Sequence, residues 1–345
     1  MSADMNDLKP LLAQVADGET LNEADAETAF DIIMSGNATP AQIGAFLMAL
    51  RLRGETVAEI TGAARTMRAK VNGIDAPEGA IDIVGTGGDG KGTLNISTGS
   101  AIVVAGCGVP VAKHGNRALS SKTGAADVLT ALGINLDADF ALIRESIWEN
   151  NIGFLMAPRH HSAMANVAGP RVELATRTIF NILGPLSNPS LVKRQMTGVF
   201  AAQWTEPMAE VLGNLGLERA WVVHAHDGSD ELTTTGPARV SELKDGKVST
   251  YDVAPEDASL GRCTLEDIKG GDSEYNAAAM RDMLDGTPSA FRDCICLTAA
   301  GSLMIAGKAD DLTSGVAMAQ AAIDTGAAKA TLDRLVEITN RGAGS

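Results

Sequence analysis

An α/β fold, with a small helical domain ahead of a larger domain built on a central, mainly parallel sheet, is predicted by three features of the sequence. The first 72 residues carry helix-start signals and no strand pattern. From residue 81 onward, short apolar runs alternate with helical stretches, which is the pattern of strands covered on both faces. Nearly every unusual polar residue then falls in a loop following one of those runs, where ligands bind in parallel α/β sheets.

The elements follow in order. Three capping boxes open the helical part: Thr20 with Glu23, Thr39 with Gln42 and Thr56 with Glu59. Pro40 takes a first helical position, where its missing N–H costs nothing. Ile43, Leu47 and Leu50 then share one helix face, and Gly54 ends it. Residues 72–79, NGIDAPEG, read as a linker. A strand is expected at 81–84, a loop at 85–93 and a helix at 97–105 closed by Gly106. A second strand at 109–112 leads into KHGNRALSS, and a helix at 123–132 stops at Gly133. Further strands are expected at 152–156, 197–200 and 220–224. Residues 169–183 read as one helix, with Val172, Ala175, Ile179 and Ile182 on one face. The run Lys244-Asp-Gly-Lys247 is a hairpin signal, and from residue 274 the chain reads as helical.

A chain of 345 residues can bury a sizeable core. No apolar run approaches the ~18–20 residues that span a bilayer. The start, MSADMNDLKPLL, is polar and acidic, unlike a signal or transit peptide, so a cytoplasmic location is expected. Four cysteines (Cys107, Cys263, Cys294 and Cys296) lack metal-site spacing and are expected as free thiols. With 28 Lys and Arg against 43 Asp and Glu, the net charge of −15 argues against nucleic-acid or anionic-membrane partners. Against that background Lys113, His114, Arg117 and Lys122 fall within ten residues, which suggests a specific anion site.

The loop GTGGDGKGT, starting at Gly85, half-matches two nucleotide motifs. Gly85-x-Gly87-x-x-Gly90 resembles a dinucleotide fingerprint, but no acidic residue stands about 20 positions on. Gly85-x-x-x-x-Gly90-Lys91 resembles a phosphate loop, but Gly92 stands where a Ser or Thr must reach magnesium. A plain flexible turn needs one or two glycines, and five raise the entropy cost of order. Close approach of backbone to an anion explains them better, through N–H groups that form a concave nest. Asn95, Ser97 and Thr98 add donors at a helix N-terminus, whose dipole also favours an anion.

Read together, GTGGDGKGTLNIST, KHGNRALSSKTGAADVLTALG, APRHHSAM, VAGPRVELATRTIFNILGPLSNP and VVHAHDGSDEL resemble the anthranilate phosphoribosyltransferases of tryptophan biosynthesis. The resemblance covers essentially the whole chain, and the KHGNR and RTIFNILGPL runs are its most specific parts. It implies transfer of the phosphoribosyl group of 5-phosphoribosyl 1-diphosphate to anthranilate, with release of pyrophosphate. It implies a nucleoside phosphorylase/phosphoribosyltransferase-like fold, with a helical domain at 1–72 joined by roughly 169–190, and an α/β domain at 73–168 and 191–345. It also implies Mg2+, with two ions, and a homodimer formed through the helical domain.

Residue by residue, the resemblance gives Gly85, Gly88, Asp89 and Thr93 to the loop around the diphosphate, and Asn95, Ile96, Ser97 and Thr98 to the next contact segment. Lys113, His114, Gly115, Asn116, Arg117, Ala118, Leu119, Ser120 and Ser121 form its ribose- and phosphate-binding run, with Ala125 beyond it. Gly85, His114, Asn116, His161 and Arg171 fall to the anthranilate side. Ser97, Asp230 and Glu231 fall to magnesium. Two departures stand out: Ala125 replaces a frequent Ser and keeps only backbone or van der Waals contact, and Ser162 replaces a common Pro.

Other readings of the same residues remain open at this point. An Asp-Glu pair after a strand can be solvated surface, and His114 can be a core residue. His160 and His161 have no third ligand at zinc spacing. A pyrimidine nucleoside phosphorylase on the same fold would need a different glycine loop and basic run. A nucleic-acid-binding paralogue should be basic and lack Arg171, Asp230 and Glu231, and a structural role would not explain polar residues gathered at strand ends.

Overall fold

The structure, a computed structural model, describes residues 7–116 and 123–342. Four helices open the chain: Lys9–Ala16, Glu23–Met34, Pro40–Arg53 and Val57–Ala69. Thr39 and Thr56 form their expected capping boxes with Gln42 and Glu59. The expected box of Thr20 with Glu23 does not form. Asn22 caps that helix instead, taking the Asp25 N–H at 2.9 Å, and the freed Glu23 carboxylate pairs with Arg65. Asn is as good a cap as Thr, so the start moves two residues along. Gly54 ends the third helix at φ +94°, as its position predicts.

Seven strands form one sheet: β1 Ile81–Gly85, β2 Val111–Gly115, β3 Ile152–Met156, β4 Arg194–Gly198, β5 Arg219–Ala225, β6 Ala238–Lys244 and β7 Lys247–Val253. Their order is β3-β2-β1-β4-β5-β6-β7. The first five lie parallel and the last two antiparallel. Burial alternates with the pleat. On β5, Trp221 and Val223 join a core with the helices Ile96–Gly106, Ser273–Leu284, Ala290–Ile305, Leu312–Asp324 and Ala327–Thr339. Ala220 and Val222 face the opposite core, with the helix Thr205–Asn214 and the four N-terminal helices. The helix Phe140–Asn150 covers the sheet near β3, with Leu155 beneath it. The hairpin turns at Asp245 and Gly246, both at positive φ, with Lys244 opposite Lys247.

Three boundaries depart from the sequence reading in ways that matter for the site. β2 runs two to three residues later than 109–112, so Lys113, His114 and Gly115 belong to the strand. β4 starts at Arg194, three residues before the apolar run. Buried Gln195 is held there by Pro185 O at 2.8 Å and Thr197 Oγ1 at 2.6 Å, and Arg194 donates to Ala306 O at 2.6 Å. The single helix expected over 169–183 is two, Ala165–Leu174 and Phe180–Leu183. Ala175 adopts φ +46°, and Asn181 Oδ1 then takes the Thr178 N–H at 2.9 Å, so a crossing that is exposed at 175–177 and buried at Thr178 and Ile179 separates the two helices. The helix Ala165–Leu174 packs on Pro40–Arg53 and Glu23–Met34. No helix among the described residues is long and apolar enough to cross a membrane.

Candidate active site

The site is assembled at the carboxyl ends of β1 and β4, which pair Gly85 with Gly198. The turn after β5 folds across both. A Cβ on Gly85 would stand 2.7 Å from Asp230 Oδ2, and one on Gly198 would stand 1.5 Å from the Asp230 carbonyl oxygen. Only two strands ending in glycine let that acidic turn come so close. Asp230 Oδ2 accepts the Gly87 N–H at 2.7 Å. Asp89 accepts the Lys91 N–H at 3.1 Å and faces the Asp230 N–H at 3.4 Å. Gly87, Gly88, Gly90 and Gly92 all have positive φ, a region that side chains resist. The far end of the loop is pinned by Gly270 N–H to Gly92 O at 2.8 Å and by a bridge between Thr93 and Lys269. The loop amides of Gly87 and Lys91 thus donate to carboxylates rather than facing outward as an open nest.

The helix Ile96–Gly106 begins immediately beyond. Its Ser97 N–H donates to Glu231 Oε1 at 3.2 Å. Asn95 leaves the cap position unfilled, and its Oδ1 accepts from Asn276 at 2.9 Å. Ile96 and Thr98 are buried behind Ser97. Asp230, Glu231, Asp89, Gly87 and Ser97 therefore form one hydrogen-bonded unit.

Its electrostatics are unfavourable as they stand. Burial pushes the Asp230 and Glu231 carboxyls up, and a neighbouring carboxylate pushes each further: Asp89 for Asp230, and Asp230 for Glu231. Lys113 partly offsets this for Glu231. Its ammonium is buried, donates to Ile83 O at 2.6 Å and is pushed down by burial, against the pull of Asp82 and Glu231. Asp82, pushed up to about 6 chiefly by burial, accepts from the His114 N–H at 3.0 Å and from Asn188 at 2.8 Å. Oxygen donors crowded in this way suit a hard divalent cation. Among the described residues no group of three or more His, Cys, Asp and Glu makes a closed metal cage. Two carboxylates completed by substrate phosphates is the arrangement magnesium favours.

The other expected residues fall as follows. His114 and His161 meet at 3.2 Å between their Nε2 atoms, one donating to the other. Both are held neutral: burial, helped by neighbouring positive groups, takes His114 well below its ordinary value and His161 down to about 4. His160 turns away, with Nδ1 2.6 Å from Asn72 O and its ring stacked on Phe140. Gly115 ends β2 where a Cβ would stand 2.7 Å from the Phe154 ring. Asn116 follows, its carbonyl facing the Ala126 N–H at 3.4 Å, and Ala125 opens the helix Ala125–Ala131. Arg171 is half-buried on the helix Ala165–Leu174, with its guanidinium over the Phe180 ring at 5.4 Å. Ser162 opens the short turn Ser162–Met164. Arg117, Ala118, Leu119, Ser120 and Ser121 lie outside the described residues.

Three contributors escaped the sequence reading: Gly198, Asp82 and Asn188. Gly198 had one weak signal, a lone glycine inside the expected strand 197–200. Asp82 also had one, an acid inside an otherwise apolar strand.

The chain as a whole is similar to known proteins of one family. Residues 9–71 match the glycosyl transferase family, helical bundle domain, and residues 77–329 match the glycosyl transferase family, a/b domain. The chain is 63% identical to an anthranilate phosphoribosyltransferase of Paramagnetospirillum magneticum, covering 97% of this chain and 96% of that one. It is 61% identical to one of Azospirillum brasilense, covering 98% and 94%. Among solved structures, the Thermus thermophilus enzyme superposes with a TM-score of 0.91 at 42% identity, over 95% of this chain and 99% of that one. The Saccharomyces cerevisiae enzyme, in complex with PRPP and Mg, gives 0.89 at 26% identity, over 97% and 98%.

Proposed function

The chain belongs to the anthranilate phosphoribosyltransferase family, and on that premise we propose how its residues divide the reaction. It transfers the phosphoribosyl group of 5-phosphoribosyl 1-diphosphate to the amine of anthranilate, in tryptophan biosynthesis. The C1–O bond of the ribose breaks, and its electron pair leaves on pyrophosphate. The amine nitrogen bonds to C1 and gives up a proton. That aromatic amine is neutral at pH 7, so no strong base and no covalent nucleophile are needed.

The observation that carries the assignment of roles is the Asp230–Glu231 pair, buried at Asp230 and half-buried at Glu231, tied to both the glycine loop and Ser97. Asp230 and Glu231, with the Ser97 hydroxyl, would hold magnesium, which we place at two positions; the yeast relative's complex with PRPP and Mg supports use of the metal. Bound there, Mg2+ acts as a Lewis acid on the leaving oxygens. Gly85, Gly88, Asp89, Thr93, Asn95 and Thr98 surround the diphosphate, and backbone dipoles there need no reorganisation as charge develops. The run from Lys113 to Ser121 takes the ribose and 5-phosphate, and Lys113 limits the charge repulsion beneath it. Gly85, His114, Asn116, His161 and Arg171 position anthranilate against C1; such positioning contributes up to ~7–11 kcal/mol when the geometry is right. The two neutral histidines offer anthranilate an uncharged wall.

The packing of Ala165–Leu174 on Pro40–Arg53 supports a discontinuous helical domain, 1–72 with roughly 169–190. Leu52 and Val172, 82% and 78% exposed on those two helices, support a homodimer through it. Four free cysteines suit a reducing cytoplasm.

The test mixes the purified chain with Mg2+, phosphoribosyl diphosphate and anthranilate, and follows loss of anthranilate fluorescence. The double variant Asp230→Ala, Glu231→Ala should move the magnesium titration at least about tenfold to higher concentration. An unchanged titration removes these residues from the metal site.

A further inference from the structure

The crossing between Leu174 and Phe180 holds, in its exposed part, an arginine that the roles above leave unused. The Arg177 guanidinium carbon lies over the Phe200 ring, 4.3 Å from its centroid, and the group donates through Nη2 to the Gly88 carbonyl. Phe200 is itself fixed to the start of the glycine loop. Its N–H donates to Thr86 Oγ1 at 3.0 Å, and the Thr86 N–H donates to Gly198 O at 2.9 Å. On the other side, the Arg177 carbonyl accepts from Arg51 Nη1 at 2.5 Å, and Arg51 also donates to Thr176 Oγ1. Arg51 lies in the last turn of the helix Pro40–Arg53. A continuous path of contacts thus runs from the N-terminal helices to the middle of the glycine loop.

Gly88 sits at φ +79°, and the peptide linking it to Asp89 is free to flip unless something holds it. In a trans peptide the carbonyl and the N–H point to opposite sides. Holding the Gly88 carbonyl toward Arg177 therefore aims the Asp89 N–H the other way and sets where the Asp89 carboxylate starts. Arginine suits this task better than lysine, because one planar group can stack and donate at once.

We propose that Arg177 is a positioning residue for phosphoribosyl diphosphate: it fixes the Gly88–Asp89 peptide, and through Arg51 it ties that peptide to the helical domain. The proposal rests on reading the glycine loop as the diphosphate cradle. Arg177 acts through the loop and touches no reacting atom.

The test compares steady-state kinetics of the full-length wild-type enzyme with Arg177→Ala, Arg177→Lys, Arg51→Met and Asp89→Ala, with melting temperatures beside them. Arg177→Ala should raise the KM for phosphoribosyl diphosphate by about five- to tenfold, the scale of one lost hydrogen bond. The KM for anthranilate and the melting temperature should stay within about twofold and 2 °C of wild type. Arg177→Lys should recover part of the loss, and Arg51→Met should show a smaller effect of the same kind. Amide exchange in the 85–93 loop of substrate-free Arg177→Ala should quicken. If Asp89→Ala raises that KM and Arg177→Ala does not, the cradle stands and the positioning role falls. If neither variant changes it, both fall. A rise in the anthranilate KM alone, or a fall in melting temperature with both KM values raised together, also overturns the proposal.

Discussion

Lys113 and His161 show how far a residue's type predicts its work and how far its surroundings decide it. The sequence offers Lys113 as a cation among basic neighbours, ready for a phosphate. In the fold its ammonium is buried, bonded to Ile83 O and set between Asp82 and Glu231, so its charge first balances two acids. Residue type gave the charge; strand register, which nothing local specifies, gave its direction. His161 is legible as polar and near a site, but its neutrality comes from burial beside His114. That neutrality has a consequence for stability. The folded His161 titrates near 4 and the unfolded one near 6.5, so between those values the unfolded chain binds more protons. This group's contribution is therefore complete above about 6.5 and is lost as pH falls toward 4. Each unit of that window carries up to about 1.4 kcal/mol. His161→Gln keeps a polar group beside His114 and removes the titration. In urea unfolding from pH 7 to pH 4.5, the wild type should lose stability relative to this variant. Parallel pH profiles would show that His161 is not held neutral.

At the level of elements, strand ends carry the site, and the sequence located them to within a few residues. Caps with a local mechanism were legible: Thr39, Thr56, Gly54 and the Asp245-Gly246 turn all stand where their chemistry puts them. The misplacements come from tertiary partners. β4 extends back through Arg194 and Gln195, where distant carbonyls accept from Arg194 Nη1 and Gln195 Nε2. The expected helix over 169–183 breaks because Ala175 turns left-handed, which no apolar pattern announces. Gly198 gave only a weak signal for the same reason: its need for no side chain arises from Asp230, 32 positions away. Gly198→Ala places a Cβ 1.5 Å from the Asp230 carbonyl oxygen, so the acidic turn must move off β1 and β4. Backbone yields poorly, and a displacement near 1 Å at a catalytic group can cost about a hundredfold in rate. Gly198→Ala should therefore lower kcat by at least about a hundredfold and weaken magnesium dependence, while the helical domain keeps its circular-dichroism signal. Activity within about threefold of wild type, on the same rate scale, would mean that the turn is not held against these strands.

At the level of the whole molecule, the acidic surface and the exposed apolar residues work in opposite directions. A net charge of −15 makes two copies repel, so any homodimer must be held by apolar burial against that field. Leu52 and Val172 would supply the residues for it: both protrude from the packed helices Pro40–Arg53 and Ala165–Leu174, with 82% and 78% of their surface in water. Full burial of such side chains contributes roughly 1.5–3 kcal/mol each, and a two-fold axis counts each twice. Leu52→Glu with Val172→Glu removes that gain and adds like charges at the same place. Sedimentation velocity should show a dimer for the wild type and at least about a hundredfold weaker association for the double variant. The wild-type dimer should also tighten as salt screens the repulsion, because surface charges lose reach beyond about 10 Å at 0.1 M. Arg171 neighbours Val172, so activity is read on Leu52→Glu alone. That variant should keep the wild-type anthranilate KM if the dimer serves stability and not the chemistry. A wild-type monomer at micromolar concentration, or a double variant that dimerises as well as the wild type, would place the contact elsewhere and leave Leu52 and Val172 as ordinary exposed residues.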